Sequence, residues 1–139
     1  MLLIKTNINA SKIHGIGLFA AEFISKGTKI WEYKPGFDRV FNKEDLNNLD
    51  ELTRHFLEIY CFKYKGKYYL GIDNDRFFNH SDSYNCDELP HENNEHPRYT
   101  VALRDIHPGE ELTCNYLELG FDEENDEFLN RLSKEPSQG

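Results

Sequence analysis

Apolar and polar positions along the chain change period several times, and each change marks an element. Leu2 to Asn7 reads as a first strand, and Ser11-Lys12-Ile13-His14 leads from it into Gly15-Ile16-Gly17-Leu18-Phe19-Ala20. Thr28 to Tyr33 reads as a further strand, closed by Lys34-Pro35-Gly36, a turn with proline and glycine in favourable order. The period then becomes helical. Leu46, Leu49, Leu52, Phe56 and Ile59 fall on one face, Asn42 is placed to cap the start, and Asp45 sits in a capping-box position. This predicts one helix from Lys43 to Ile59 whose Leu/Phe stripe packs on the core.

From Tyr60 to Ile72 the strand pattern returns, as two aromatic-rich arms around a Lys65-Gly66-Lys67 tip. An Arg76-Phe77-Phe78 run follows, then Asn79-His80-Ser81-Asp82-Ser83-Tyr84-Asn85, whose short polar side chains bond the backbone and favour turns. Asp87 to Pro97 reads as a polar loop, Tyr99 to Leu103 as a strand, His107-Pro108-Gly109 as a turn and Leu112 to Tyr116 as a last strand. Past Asp122, Phe128, Leu129 and Leu132 stand among acids as in a short one-sided helix, before Ser133 to Gly139 frays. Short strands around one inserted helix predict a mostly β domain.

Composition narrows the picture. A chain of 139 residues fits one domain, and 38% apolar with 14% aromatic residues suffices for a packed core. No apolar run reaches the roughly 20 residues of a membrane span, and Met1-Leu2-Leu3-Ile4 meets Lys5 too soon for a signal peptide. The expectation is a soluble, intracellular protein, cytoplasmic or, in a eukaryotic source, nuclear. Cys61, Cys86 and Cys114, odd in number and widely spaced, make a poor disulfide framework. A formal charge of -9 argues against direct nucleic-acid binding, which needs basic surface, and suits a basic protein partner.

Gly15 to Ala20 matches G-x-G-x-x-A, but the fingerprint requires a helix opening on the glycines, and Ser25-Lys26-Gly27 breaks the pattern at once. What survives is local: paired glycines admit positive φ and close approach of a ligand. His80, Cys86, His91 and His96 are residue types that zinc accepts, yet their spacing fits no compact ligand pattern. No third residue is placed by spacing to orient a Cys-His nucleophile pair.

Three separated pieces carry more: Gly15-Ile16-Gly17, then Arg76-Phe77-Phe78-Asn79-His80-Ser81, then Gly109-Glu110-Glu111-Leu112-Thr113-Cys114-Asn115-Tyr116. In this order and at these separations they resemble the SET domain of protein-lysine methyltransferases, over roughly Met1 to Leu117. The resemblance implies a β-clip-like fold of small curved antiparallel sheets, with a knot-like C-terminal crossing, one inserted helix and a short C-terminal helix. Residues 118–139 would form an acidic tail closing the lysine channel. It implies S-adenosylmethionine as cofactor and a protein lysine as substrate; by charge alone, acids such as Asp122-Glu123-Glu124 would draw a Lys-rich partner, with histone-like or ribosomal proteins as candidates. Gly15, Ile16, Gly17, Tyr60, Arg76, Asn79 and His80 would then contact the cofactor, Tyr116 would be the catalytic tyrosine, and Cys114, Tyr116 and Phe121 would line the substrate pocket. The alternative is a catalytically idle SET fold that binds a peptide or the cofactor.

The departures also inform. After the Asn-His-Ser triplet the family pattern Cys-x-Pro-Asn is replaced by Asp82-Ser83-Tyr84-Asn85, and no cysteine follows Cys114, so the zinc site of a cysteine-rich post-SET segment is not expected. Leu119 to Leu132 is the chain left to close the channel. Cys114 stands where relatives carry Phe or Tyr, and its smaller volume leaves room for an already methylated amine.

Overall fold

The computed structural model describes residues 1–115. In chain order the strands begin with β1 (Thr6–Ala10), β2 (Ile16–Ala20), β3 (Lys29–Trp31) and β4 (Arg39–Phe41). Helices α1 (Lys43–Asn47) and α2 (Glu51–Tyr60) follow, then β5 (Phe62–Tyr64), β6 (Lys67–Leu70) and a 3-10 turn over Asn74–Phe77. The last strands are β7 (Asn79–His80), β8 (Cys86–Leu89), β9 (Tyr99–Ala102) and β10 (Thr113–Cys114). They form four small sheets: the β1-β2 hairpin, β3-β9-β8, β4-β6-β5, and a parallel pair of β7 with β10.

The principal core lies between the hairpin and the β3-β9-β8 sheet. Leu18 and Ala20 of β2 alternate inward and meet Ile24, Ile30, Cys86, Ala102, Ile106 and Leu112. Residues 109–112 run along the outer edge of β2: Gly109 N donates to Ala20 O (2.8 Å), Ala20 N to Glu110 O (2.9 Å) and Leu112 N to Leu18 O (2.7 Å). That edge pairing fixes where Glu111 stands. A second cluster, Leu46, Leu57 and Cys61 with Phe41, Leu49, Tyr68 and Leu70, joins the helices to the β4-β6-β5 sheet.

The expected single helix is two. Asn42 and Asp45 do form a reciprocal capping box at α1, but Asn48 ends that helix and Asp50 starts the next by accepting from Thr53 N. The break shifts the phase of the apolar stripe. Leu46 and Leu57 are buried, whereas Leu52 is 80% exposed and Phe56 and Ile59 also reach solvent. Asp87 to Leu89, read as loop, belongs to β8, since pairing with β9 outweighs the weak strand preference of Asp and Glu. The first strand begins at Thr6, leaving Leu2 in an isolated bridge with Trp31. Lys65 (φ 46°) and Gly66 (φ 76°) form the hairpin tip as expected, both in the left-handed region that a two-residue turn requires. Among the described residues no helix is long and apolar enough to cross a membrane. The expected tail helix lies outside the described residues.

Candidate functional site

The β1-β2 turn, the Asn79 segment and the run before β10 converge on one carboxylate. Ser11 Oγ bonds Glu111 Oε1 and Oε2 (2.7 and 3.0 Å) while accepting from Ile13 N (2.9 Å). Asn79 Nδ2 donates to Glu111 Oε2 (2.9 Å) and lies within bonding distance of the His14 and Ile16 carbonyls (3.0 and 3.3 Å). Gly17 is packed so closely that a Cβ there would stand 2.6 Å from Glu111 Oε2. Gly15, at φ +46°, has open space where its Cβ would be. The two glycines therefore do different work: one admits a neighbouring carboxylate, the other turns the chain at positive φ, its carbonyl accepting from Ser11 N (2.8 Å).

The parallel pair sets Thr113 beside Asn79 and Cys114 beside His80, and Ser81 N donates to Cys114 O (3.1 Å). Asn85, only 3% exposed, uses both ends of its amide: Nδ2 donates to Glu111 O (2.8 Å) and Oδ1 accepts from Thr113 N (2.9 Å). A buried amide left unpaired would be costly, and here it clamps the chain entering β10. His80 is half-buried, with Nε2 3.3 Å from Asp82 Oδ1.

A cleft of about 140 Å³ opens on the other side of β10, and its lining includes Trp31, Tyr60, Phe62, Phe78 and Cys114. Arg76 lines it too, with its guanidinium over the Tyr60 and Phe77 rings at 5.7 and 5.2 Å. Two of its carboxyls are unusual. Burial, with the Asp73 carboxyl alongside, pushes Asp75 up to about 8, and burial pushes Glu88 up to about 8 against the bond from Thr100. Gly71 is what lets the Asp75 carboxyl tuck against the backbone. Burial also raises the Cys114 thiol well above its ordinary range, so it is an inert wall and no nucleophile.

The predicted site residues thus fall into two groups. Gly15, Ile16, Gly17 and Asn79 gather around Glu111, with His80 next along β7, while Tyr60, Arg76 and Cys114 line the cleft. Tyr116 and Phe121 lie outside the described residues. Sequence reasoning gave no role to Glu111, although it stands in the third motif, nor to Ser11, Asp75 or Glu88. Of the histidines and Cys86, only His91 and His96 meet, with ring centroids 5.0 Å apart; His91 also bonds Glu32 (2.7 Å), His96 packs on Tyr33, and Cys86 is in the core. Among the described residues no group of three or more His, Cys, Asp or Glu side chains is arranged for a metal ion.

With this geometry in hand, comparison with known proteins gives a consistent result. The sequence matches the family model described as SET domain over residues 15–117. No curated protein matches it. A Plasmodium falciparum protein, named a candidate histone methyltransferase, superposes at TM-score 0.60 with 22% identity, over 83% of this chain and 95% of that one. The Chaetomium thermophilum Polycomb Repressive Complex 2, autoinhibited and bound to S-adenosylmethionine, gives TM-score 0.66 and 24% identity over 94% of this chain but 17% of the other. Its apo form gives TM-score 0.68 and 24% identity, over 89% and 16%. The chain therefore corresponds to a small part of the Polycomb chains, and identities this low carry the fold alone.

Proposed function

Because the chain belongs to the SET-domain family, we propose that it is an S-adenosylmethionine-dependent methyltransferase acting on lysine side chains of a protein. The observation that carries the reading is the convergence of three distant motif segments, through Asn79 and Glu111, beside a cleft lined by Cys114. Open space beside Gly15, the His80 ring, the Arg76 guanidinium and the Tyr60 ring form a set of polar and aromatic groups that suits a zwitterionic amino acid joined to an aromatic base, with Asn79 holding the Gly15–Ile16 segment in place. These residues would hold S-adenosylmethionine, which supplies an activated methyl group when bound.

In-line transfer to an amine demands position more than acid or base strength. A free lysine, with a pKa near 10.4, is almost wholly protonated at neutral pH, so the site must favour the neutral amine. An aromatic, largely apolar cleft works in that direction by penalising charge. The Tyr116 hydroxyl, itself a poor base at neutral pH, orients the amine. The acidic surface favours encounter with a Lys-rich partner such as a histone-like or ribosomal protein, which sets rate more than choice of lysine. Labelled cofactor and a cell extract test this: wild type labels protein and Tyr116→Phe labels it far less. Equal labelling by both removes Tyr116 from its role, and binding without any transfer leaves only the idle fold.

A further inference from the structure

The β1-β2 hairpin has one edge filled and one edge open. At its two ends Ala21 N donates to Lys5 O (2.9 Å) and Ser11 N to Gly15 O (2.8 Å), so in the register between them Asn7 and Asn9 are the β1 residues whose backbone bonds β2. On the far side of β2, residues 109–112 take up the bonding groups of Leu18 and Ala20. β1 has no such cover. The N–H and C=O groups of Thr6, Ile8 and Ala10 point away from β2, and among the described residues no further strand or isolated bridge lies against them. Ala10 N donates only to the neighbouring Asn9 Oδ1 (2.8 Å).

Open edges are ordinarily guarded by charge, proline, a bulge or shortness. β4 and β5, the outer strands of their sheet, are three residues long and carry Arg39 and Lys63. β1 has five residues with no charge, proline or bulge, in a chain of which 29% is charged. Its central Ile8 is 44% exposed, and Asn7 and Asn9 on either side are exposed as well. The strand is also close to its own mirror: Thr6-Asn7-Ile8-Asn9-Ala10 reads nearly alike in both directions.

We infer that the open edge of β1 pairs antiparallel with β1 of a second copy about a two-fold axis at Ile8, joining two hairpins into one four-stranded sheet. In that register Ile8 exchanges both backbone bonds with Ile8 of the second copy, Thr6 exchanges them with Ala10, and Asn7 stands opposite Asn9 in the non-bonded pairs between. No other register engages all three outward residues of both strands. The two Ile8 side chains meet with Cβ atoms about 4.5–5.5 Å apart and cover each other from water. A strand of another protein would have to supply this complementarity, whereas a second copy carries it by construction. Five residues a side fall well short of the roughly 20–30 of a standard interface, so the dimer is a weak one in exchange with monomer. The same axis sets Lys5 of the second copy opposite Ser11, whose hydroxyl holds Glu111, so pairing braces the turn that carries Gly15. None of this rests on the methyltransferase reading.

Sedimentation equilibrium at physiological salt, where the net charges of -9 are screened beyond about 8 Å, should show the mass rising with concentration from 16.4 kDa toward twice that value. Ile8→Lys sets two ammonium groups against each other at the axis and should weaken the dimer at least about tenfold while keeping the wild-type circular dichroism. Cross-linking reads the register. Asn7 and Asn9 of the second copy form a non-bonded pair with Cα atoms about 4.5 Å apart, within disulfide reach, whereas Asn7 with Asn7, or Asn9 with Asn9, lies diagonally at about 7–8 Å, outside it. Oxidation of a mixture of Asn7→Cys and Asn9→Cys chains should therefore give a linked dimer that neither variant gives alone; Cys61, Cys86 and Cys114 are buried and add no background. A wild type that stays monomeric, its edge left to residues 116–139 or to a foreign strand, overturns the proposal. So does a dimer that Ile8→Lys does not weaken, or linkage by either cysteine variant alone as readily as by the mixture. The wild-type mass and the mixed cross-link decide even if Ile8→Lys does not fold.

Discussion

Replacing Gly17 by alanine puts a Cβ 2.6 Å from Glu111 Oε2, 2.9 Å from its carboxyl carbon and 3.0 Å from the Ser11 Cβ. The carboxylate is not free to retreat, since Ser11 Oγ and Asn79 Nδ2 both hold it. Overpacking of this kind costs about 1–3 kcal/mol, and each hydrogen bond to a charged acceptor that is stretched adds up to about 1.5–3 kcal/mol. Gly17→Ala should therefore destabilise the protein by about 2–4 kcal/mol, a fall in Tm of roughly 8–16 °C for a chain of this size. With Glu111→Ala already in place, only Ser11 still crowds the new methyl, and the same substitution should cost less than about 1 kcal/mol. A double-mutant cycle followed by urea unfolding, with Trp31 as the probe, should thus show a coupling of about 1–3 kcal/mol. Gly15→Ala is the control: nothing lies within 4 Å of its Cβ, so its cost is only that of the left-handed backbone, about 1–2 kcal/mol, and does not change with Glu111. If the Gly17 and Glu111 costs simply add to within about 0.5 kcal/mol, the close packing of glycine on carboxylate is not what demands glycine there.

Other expectations follow from the same geometry. Asp75 and Glu88 keep their protons up to about 8 in the folded chain, so from the ordinary carboxyl range to about pH 8 the folded state binds protons that the unfolded state has lost. Stability should then fall as pH rises through that window; thermal melts should show it, with a flatter slope in Asp75→Asn or Glu88→Gln, and a wild-type Tm that rises with pH contradicts the assignment. A chain ending before Phe121 should keep the wild-type circular dichroism and lose methyl transfer, and full activity in that truncation ends the tail's proposed part in closing the channel. Cys114 should permit products beyond monomethyllysine, and Cys114→Phe should restrict them, as read by mass spectrometry under excess cofactor; a wild type that stops at one methyl group refutes this.

Local chemistry was legible in the sequence wherever neighbours along the chain decide the outcome. The Asn42–Asp45 capping box and the Lys65-Gly66 tip are of this kind, because their partners lie within a few residues. The helix break was less visible: the stripe from Leu46 to Ile59 runs on through Asn48 and Asp50, and only the Thr53 N bond to Asp50 restarts the count. The strand at Cys86–Leu89 was hidden because its residues pair with β9 across the intervening loop of residues 90–98, a contact that periodicity does not encode. With the strand unread, Glu88 had no inward face, and its pairing with Thr100 could not be seen. Asn79 was identified as a site residue on resemblance, but its bonds to His14, Ile16 and Glu111 come from the threading of β10 beside β7, which no spacing reveals.

The central claim is that this fold moves methyl groups onto lysine. Its most direct measurement is hydrolysis and amino-acid analysis of a lysine-rich histone-like protein after incubation with this protein and methyl-labelled S-adenosylmethionine. Label in methyllysine, present with the wild type and strongly reduced with Asn79→Ala under conditions where both are folded, is the result predicted. Cofactor bound by the wild type with no label in any methyllysine is the result that contradicts it.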